Sequence, residues 1–77
     1  MKIEYDEEAD ALYFQFLSCS AARTIDINED IAVDLNGQGK IVGIEILNAS
    51  KIINLNSFKT INLQMPAKYM PSITEQL

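Results

Sequence analysis

Apolar and polar residues alternate with a period of two along most of this chain, the mark of strands that bury one face. Ile3 and Tyr5 alternate with Lys2, Glu4 and Asp6, and Ile25 and Ile27 alternate with Thr24 and Asp26. Ile31, Val33 and Leu35 alternate with Ala32, Asp34 and Asn36; Val42, Ile44 and Ile46 alternate with Gly43 and Glu45. The last two runs flank Asn36-Gly37-Gln38-Gly39-Lys40, a short polar loop that reads as a tight hairpin. Keeping both apolar sets on one face lets Val33 oppose Ile44 and Leu35 oppose Val42, with a left-handed Gly39 absorbing the odd loop length. Asn28-Glu29-Asp30 reads as the turn that joins the preceding run antiparallel to this hairpin.

Residues 7–17 fit two patterns. As a helix, Ala9, Leu12, Tyr13, Phe16 and Leu17 share a face, with Asp6 available as cap. As a strand, Leu12, Phe14 and Phe16 point one way and Tyr13, Gln15 and Leu17 the other, after a turn at Glu7-Glu8-Ala9-Asp10. The aromatic density favours the strand. After Leu47, Asn48 or Ser50 can cap a short helix that packs Ile52 and Ile53 on the sheet. Residues 58–65 alternate again, Ile61, Leu63 and Met65 against Thr60, Asn62 and Gln64, which predicts an extra C-terminal strand. Pro66 and Pro71 forbid a central strand beyond it. Residues 66–77 are then an edge extension or a loosely ordered tail.

The expected fold is therefore α+β: an antiparallel β-meander of about five strands, a short helix, and an added strand at the C-terminus. Residues 1–54 form the β-meander and helix domain, and residues 55–77 form a C-terminal extension. At 77 residues there is room for one small core.

Composition narrows the chemistry. The chain has no histidine, so it has no imidazole base and no His ligand for zinc. Its one cysteine, Cys19, cannot close an internal disulfide, and no base flanks it in Ser18-Cys19-Ser20. The start of the chain lacks the basic and apolar regions of a signal peptide, and no apolar run spans a bilayer, so a cytoplasmic location without membrane attachment is expected. Net charge is −5, unevenly placed: residues 1–50 carry ten acids and three bases, residues 51–77 one acid and three bases. Such a balance argues against nucleic-acid binding, which needs clustered Lys and Arg.

Beside these patterns stands a resemblance. Met1-Lys2-Ile3-Glu4-Tyr5-Asp6-Glu7-Glu8-Ala9-Asp10-Ala11-Leu12-Tyr13, then Ala22-Arg23-Thr24, Asp34-Leu35, and Val42-Gly43-Ile44-Glu45-Ile46-Leu47-Asn48-Ala49-Ser50 resemble, in order and spacing, the small bacterial proteins called DUF2283. The likeness runs over residues 1–54; Asn48 stands where the family often has Asp, and the turn at Asn36 is less acidic than usual. It implies a bacterial or archaeal cytosolic protein with a β-rich fold, and a strand for Leu12 to Leu17. It supplies no function. Family members are often encoded beside small proteins suspected of being toxins, which at family level implies an antitoxin-like role.

Two carboxylate groupings are candidate sites. Asp6, Glu7, Glu8 and Asp10 lack the ladder of a calcium loop and read best as a turn whose aspartates accept backbone N–H bonds. Asp34 and Glu45 share the outer face of adjacent strands, where an acid–base pair needs a pocket that a small sheet scarcely offers. No catalytic residue, metal site or cofactor is expected. Asp6, Glu8, Asp10, Asp34 and Glu45 are instead read as an acidic surface for a basic protein partner. Apolar residues outside the core, Tyr13, Leu17, Ile61, Leu63 and Met65, are read as contacts of a homodimer or higher homo-oligomer. The favoured function is a non-enzymatic interaction module. The alternative is a small carboxylate-dependent metal-binding protein or hydrolytic enzyme.

Overall fold

A computed structural model describes residues 1–69. It contains β1 (Lys2–Asp6), β2 (Ala11–Gln15), β3 (Arg23–Asp26), β4 (Ile31–Leu35), β5 (Ile41–Leu47), a one-turn helix α1 (Ala49–Ile52) and two 3-10 turns, Leu55–Lys59 and Ala67–Tyr69. The architecture is α+β, as the alternation indicates. All strand pairs are antiparallel and the order is β1-β2-β5-β4-β3. The meander thus runs through β3, β4 and β5, and the β1–β2 hairpin joins it beside β5. Strands β2 to β5 take a Greek-key order. The longest strand, β5, holds the centre, where Val42 and Ile46 are buried. No helix among the described residues is long and apolar enough to cross a membrane.

Short polar side chains build the turns. The Asp6 carboxylate accepts the backbone N–H of Glu8 at 3.0 Å and of Ala9 at 3.3 Å. Asn28 accepts from Asp30 and Ile31, and Asn36 accepts from Gln38 and Lys40. In each case a side-chain oxygen takes the place of a backbone acceptor and closes the loop. Gly39 sits at φ 79°, the left-handed position expected of it.

Val33 opposes Ile44 as expected, but Leu35 opposes Ile41, because the register shifts between Asp34 and Leu35 and leaves Val42 as an extra residue. The Val42 carbonyl accepts the N–H groups of both Phe16 and Leu17, at 2.7 and 3.2 Å. This bulge stops β2 at Gln15 and takes Leu17 out of the strand.

The helix is shorter and turned differently from the expectation. Ala49 is fully buried and Ile53 packs on the core, while Ile52 is exposed. Asn48 holds the N-cap position at φ 52° but gives no side-chain cap; its amide donates to Asp30 instead. The expected sixth strand is also absent from the described residues: 55–59 form a 3-10 turn and 61–66 have no regular structure. Leu55 and Phe58 pack inward instead, with the Phe58 ring 5.9 Å from the Phe14 ring. The expected behaviour of residues 70–77 lies outside the described residues.

The inner face of the sheet is covered unevenly. Leu12, Ile46 and Ala49 form the buried cluster, flanked by Ile3, Phe14, Ile31, Ile44, Ile53, Leu55 and Phe58. Ile25 and Val33, paired on the same inner face, lie outside this cluster, as does Ile27.

Candidate functional site

The outer face is a grid set by the strand register. One row reads Glu4, Tyr13, Glu45, Ala32 and Asp26 across the sheet; the next reads Lys2, Gln15, Gly43, Asp34 and Thr24. Tyr13 reaches diagonally over Gly43, so that its hydroxyl donates to one Asp34 oxygen at 2.8 Å. The Thr24 hydroxyl donates to the other Asp34 oxygen at 2.6 Å. One carboxylate therefore ties β2, β4 and β3 across β5. A side chain at position 43 would collide with the Tyr13 ring and come within 2.7 Å of the Phe14 carbonyl, so only glycine leaves the ring its path. Burial, the bond to Asp34 and the nearby negative charges of Asp34 and Glu45 push the Tyr13 hydroxyl up to about 12, which keeps it a donor at neutral pH.

A second clasp closes the opposite end of the chain order. Asp10 sits in the left-handed region at φ 50°. Its carboxylate accepts the Tyr5 hydroxyl at 2.7 Å, the Ser50 backbone N–H at 3.0 Å and the Ser50 hydroxyl at 2.7 Å. Its carbonyl accepts the Ala49 N–H at 3.0 Å. Asp10 thus caps α1 from forty positions away. The Ser50 and Tyr5 hydrogen bonds hold its carboxyl below the usual carboxylate range, with a smaller contribution from Lys51. The Tyr5 hydroxyl is correspondingly raised, chiefly by its bond to Asp10.

These placements sort the candidate residues. Asp6 closes its turn and Glu8 is exposed in it. Asp6 and Glu45 meet Glu4, Tyr5, Ala11 and Tyr13 around a shallow hollow of about 260 Å³ on the outer face. Asp34 is not part of its lining and is held by Tyr13 and Thr24, and Asp10 is committed to α1. Tyr13 is half-buried and hydrogen-bonded, so it is a strut of the sheet rather than a loose apolar contact. Leu17 is half-buried beside the bulge, and Ile61, Leu63 and Met65 are exposed. Sequence reasoning missed Glu4 and Asp26 on the outer face, although their alternation with Ile3 and Ile25 marks them. It also missed Tyr5, Ser50, Thr24 and Gly43, whose partnerships become legible only with the register.

As chemistry, the hollow offers little. Both Asp34 oxygens are occupied, and the two tyrosines are moved away from neutrality, where a proton-transferring group is least useful. Among the described residues no three carboxylate or cysteine groups converge as metal ligands.

Comparison with known proteins gives a relationship without an activity. The family model described as "Protein of unknown function (DUF2283)" matches residues 2–50. Over all 77 residues the chain is 35% identical to an uncharacterized protein of Methanocaldococcus jannaschii and spans 66% of that protein's length. No solved structure matches. The matched span contains both clasps complete: Tyr5, Asp10 and Ser50 in one, Tyr13, Thr24, Asp34 and Gly43 in the other.

Proposed function

The chain belongs to the DUF2283 family, and from that premise we propose that it is a non-enzymatic interaction module that works as a homo-oligomer. The observation that carries this reading is its surface. Among the described residues four hydrophobic side chains are buried, whereas twelve large ones are exposed, among them Ile25, Ile27, Ile61 and Leu63. Light scattering on the full chain at micromolar concentration tests the reading. A mass of at least twice 8.6 kDa supports it, and a monomer overturns it.

The outer face supports a second contact, with a basic protein. It presents Glu4, Asp6, Asp26, Asp34 and Glu45 at outward register positions, against Lys2 as the one base in those rows. Lys2 is itself paired with Glu4. A face of this sign steers basic partners in and rejects acidic ones. Replacing Glu45 and Asp26 with lysine in the full chain should abolish salt-sensitive capture of a lysine-rich peptide. Unchanged capture would remove this second contact.

A further inference from the structure

The C-terminal arm presents a contradiction between its sequence and its surroundings. Ile61, Leu63 and Met65 alternate as a half-buried strand requires, yet they are 63%, 66% and 45% exposed. Among the described residues, no backbone hydrogen bond involves residues 61–65. A segment with strand patterning and unpaired backbone is one whose sheet partner is missing. The missing partner has a counterpart on the same molecule. Strand β3 is a sheet edge, and all four of its residues are exposed. The Ile27 N–H bonds to the Ile31 carbonyl at 2.7 Å, so the alternation of an antiparallel ladder turns the backbone groups of Thr24 and Asp26 to the free edge. Beside that edge lie Ile25 and Ile27, 40% and 61% exposed, on the inner face that α1 and the 3-10 turn leave open.

From this pairing of an unpaired strand with an unpaired edge, we propose that residues 60–66 of a second copy of this chain add to the β3 edge as a sixth strand. Ile61, Leu63 and Met65 then cover Ile25 and Ile27. The inference rests on the homo-oligomer reading and names its surface. Exposure of its inner-face isoleucines selects this edge over the other one. Lys59 and Lys68 bracket the arm; Asp26 and Glu29 stand at the Ile27 end of β3 and Arg23 at its start, so charge complements one end of the pairing. At the β1 edge Glu4 is already paired with Lys2, and Ile3 is half-buried beneath a groove lined by Leu55 and Phe58 and, at its rim, by the chain's own Ile61, which stays 63% exposed there. Reciprocal exchange of two arms makes the contact isologous, so the assembly closes as a dimer. Main-chain bonds give such a strand addition its affinity, and the alternate side chains give it specificity.

Sedimentation equilibrium of the full chain tests the proposal, with Ile61→Asp/Leu63→Asp and Ile27→Asp as separate variants. Each should weaken self-association at least tenfold while far-UV circular dichroism of dilute samples stays unchanged. Isotope-filtered NMR on a mixture of labelled and unlabelled wild-type chain should show contacts from the Ile25 and Ile27 methyls to Ile61 and Leu63 across copies. A wild-type dimer that persists in both variants and lacks those contacts overturns the arm exchange and leaves the homo-oligomer standing. A monomeric wild type overturns both.

Discussion

The two halves of the inner face are built from the same kind of residue and end differently. Under α1 and the 3-10 turn, Leu12 is 1% exposed, held among Ile46, Ala49, Phe14 and Phe58. Across the same sheet, Ile25 is 40% and Ile27 61% exposed. Side-chain type does not make the difference, since Leu and Ile are equally apolar. What differs is whether the chain returns over the strand, and among the described residues it returns once, after β5. A sheet needs a covering layer on each apolar face, and a single helical turn covers about half of this one. Burial here is a property of connectivity, and the uncovered half is where a second molecule has something to gain.

That contrast can be broken at several points. The largest effect is expected at Leu12, where truncation to alanine removes a side chain from the closed half and leaves a cavity. Leu12→Ala should cost about 3 kcal/mol, read as a shift in the urea midpoint; a loss under about 1 kcal/mol would mean the closed half is not the core. Next comes Gly43. An alanine there displaces the Tyr13 ring and crowds the Phe14 carbonyl, so Gly43→Ala should destabilise by roughly 1–3 kcal/mol. Pairing it with Tyr13→Phe should recover none of the loss attributable to the Phe14 carbonyl.

Asp10 gives a smaller effect with a distinctive pH signature. Its carboxyl is lowered in the folded chain by Ser50 and Tyr5, so its contribution is fully present above the unfolded carboxylate pKa, about 3.9. It is lost as pH falls through the lower, folded value. The melting temperatures of wild type and Asp10→Asn should therefore differ most near neutrality and converge in acid. A constant gap from pH 7 to pH 2 would show that the charge of Asp10 is not what holds α1. The smallest effect belongs to the open half. In dilute solution Ile27→Ser should change monomer stability by less than about 0.5 kcal/mol, measured by the same urea titration.

Much of this was legible in the chain before any coordinates. The alternation of Ile31 to Leu35 and of Val42 to Ile46 fixes a hairpin and its inner face, because a slip of one residue would put every apolar side chain in water. The turn chemistry of Asn28, Asn36 and Gly39 is local, and local chemistry reads directly from sequence. Three features did not read. The place of β5 between β2 and β4 depends on which strand is worth burying on both sides, a comparison among all five. The capping of α1 by Asp10 joins residues forty positions apart, so nothing near Asn48 announces it. The path of Tyr13 over Gly43 requires the β2–β5 register first. At the arm, alternation indicated a strand that the single chain leaves unpaired, since pattern reports what a segment wants to bury and not where the partner lies.

The central claim is that the open half of the sheet is completed by a second copy. Amide hydrogen exchange of the full chain at rising protein concentration tests it most directly. Protection of the Thr24 and Asp26 amides, and of the amides of residues 61–65, should rise with concentration, while Leu12 and Ile46 stay equally protected throughout. Exchange at β3 and the arm that is fast and independent of concentration would contradict it.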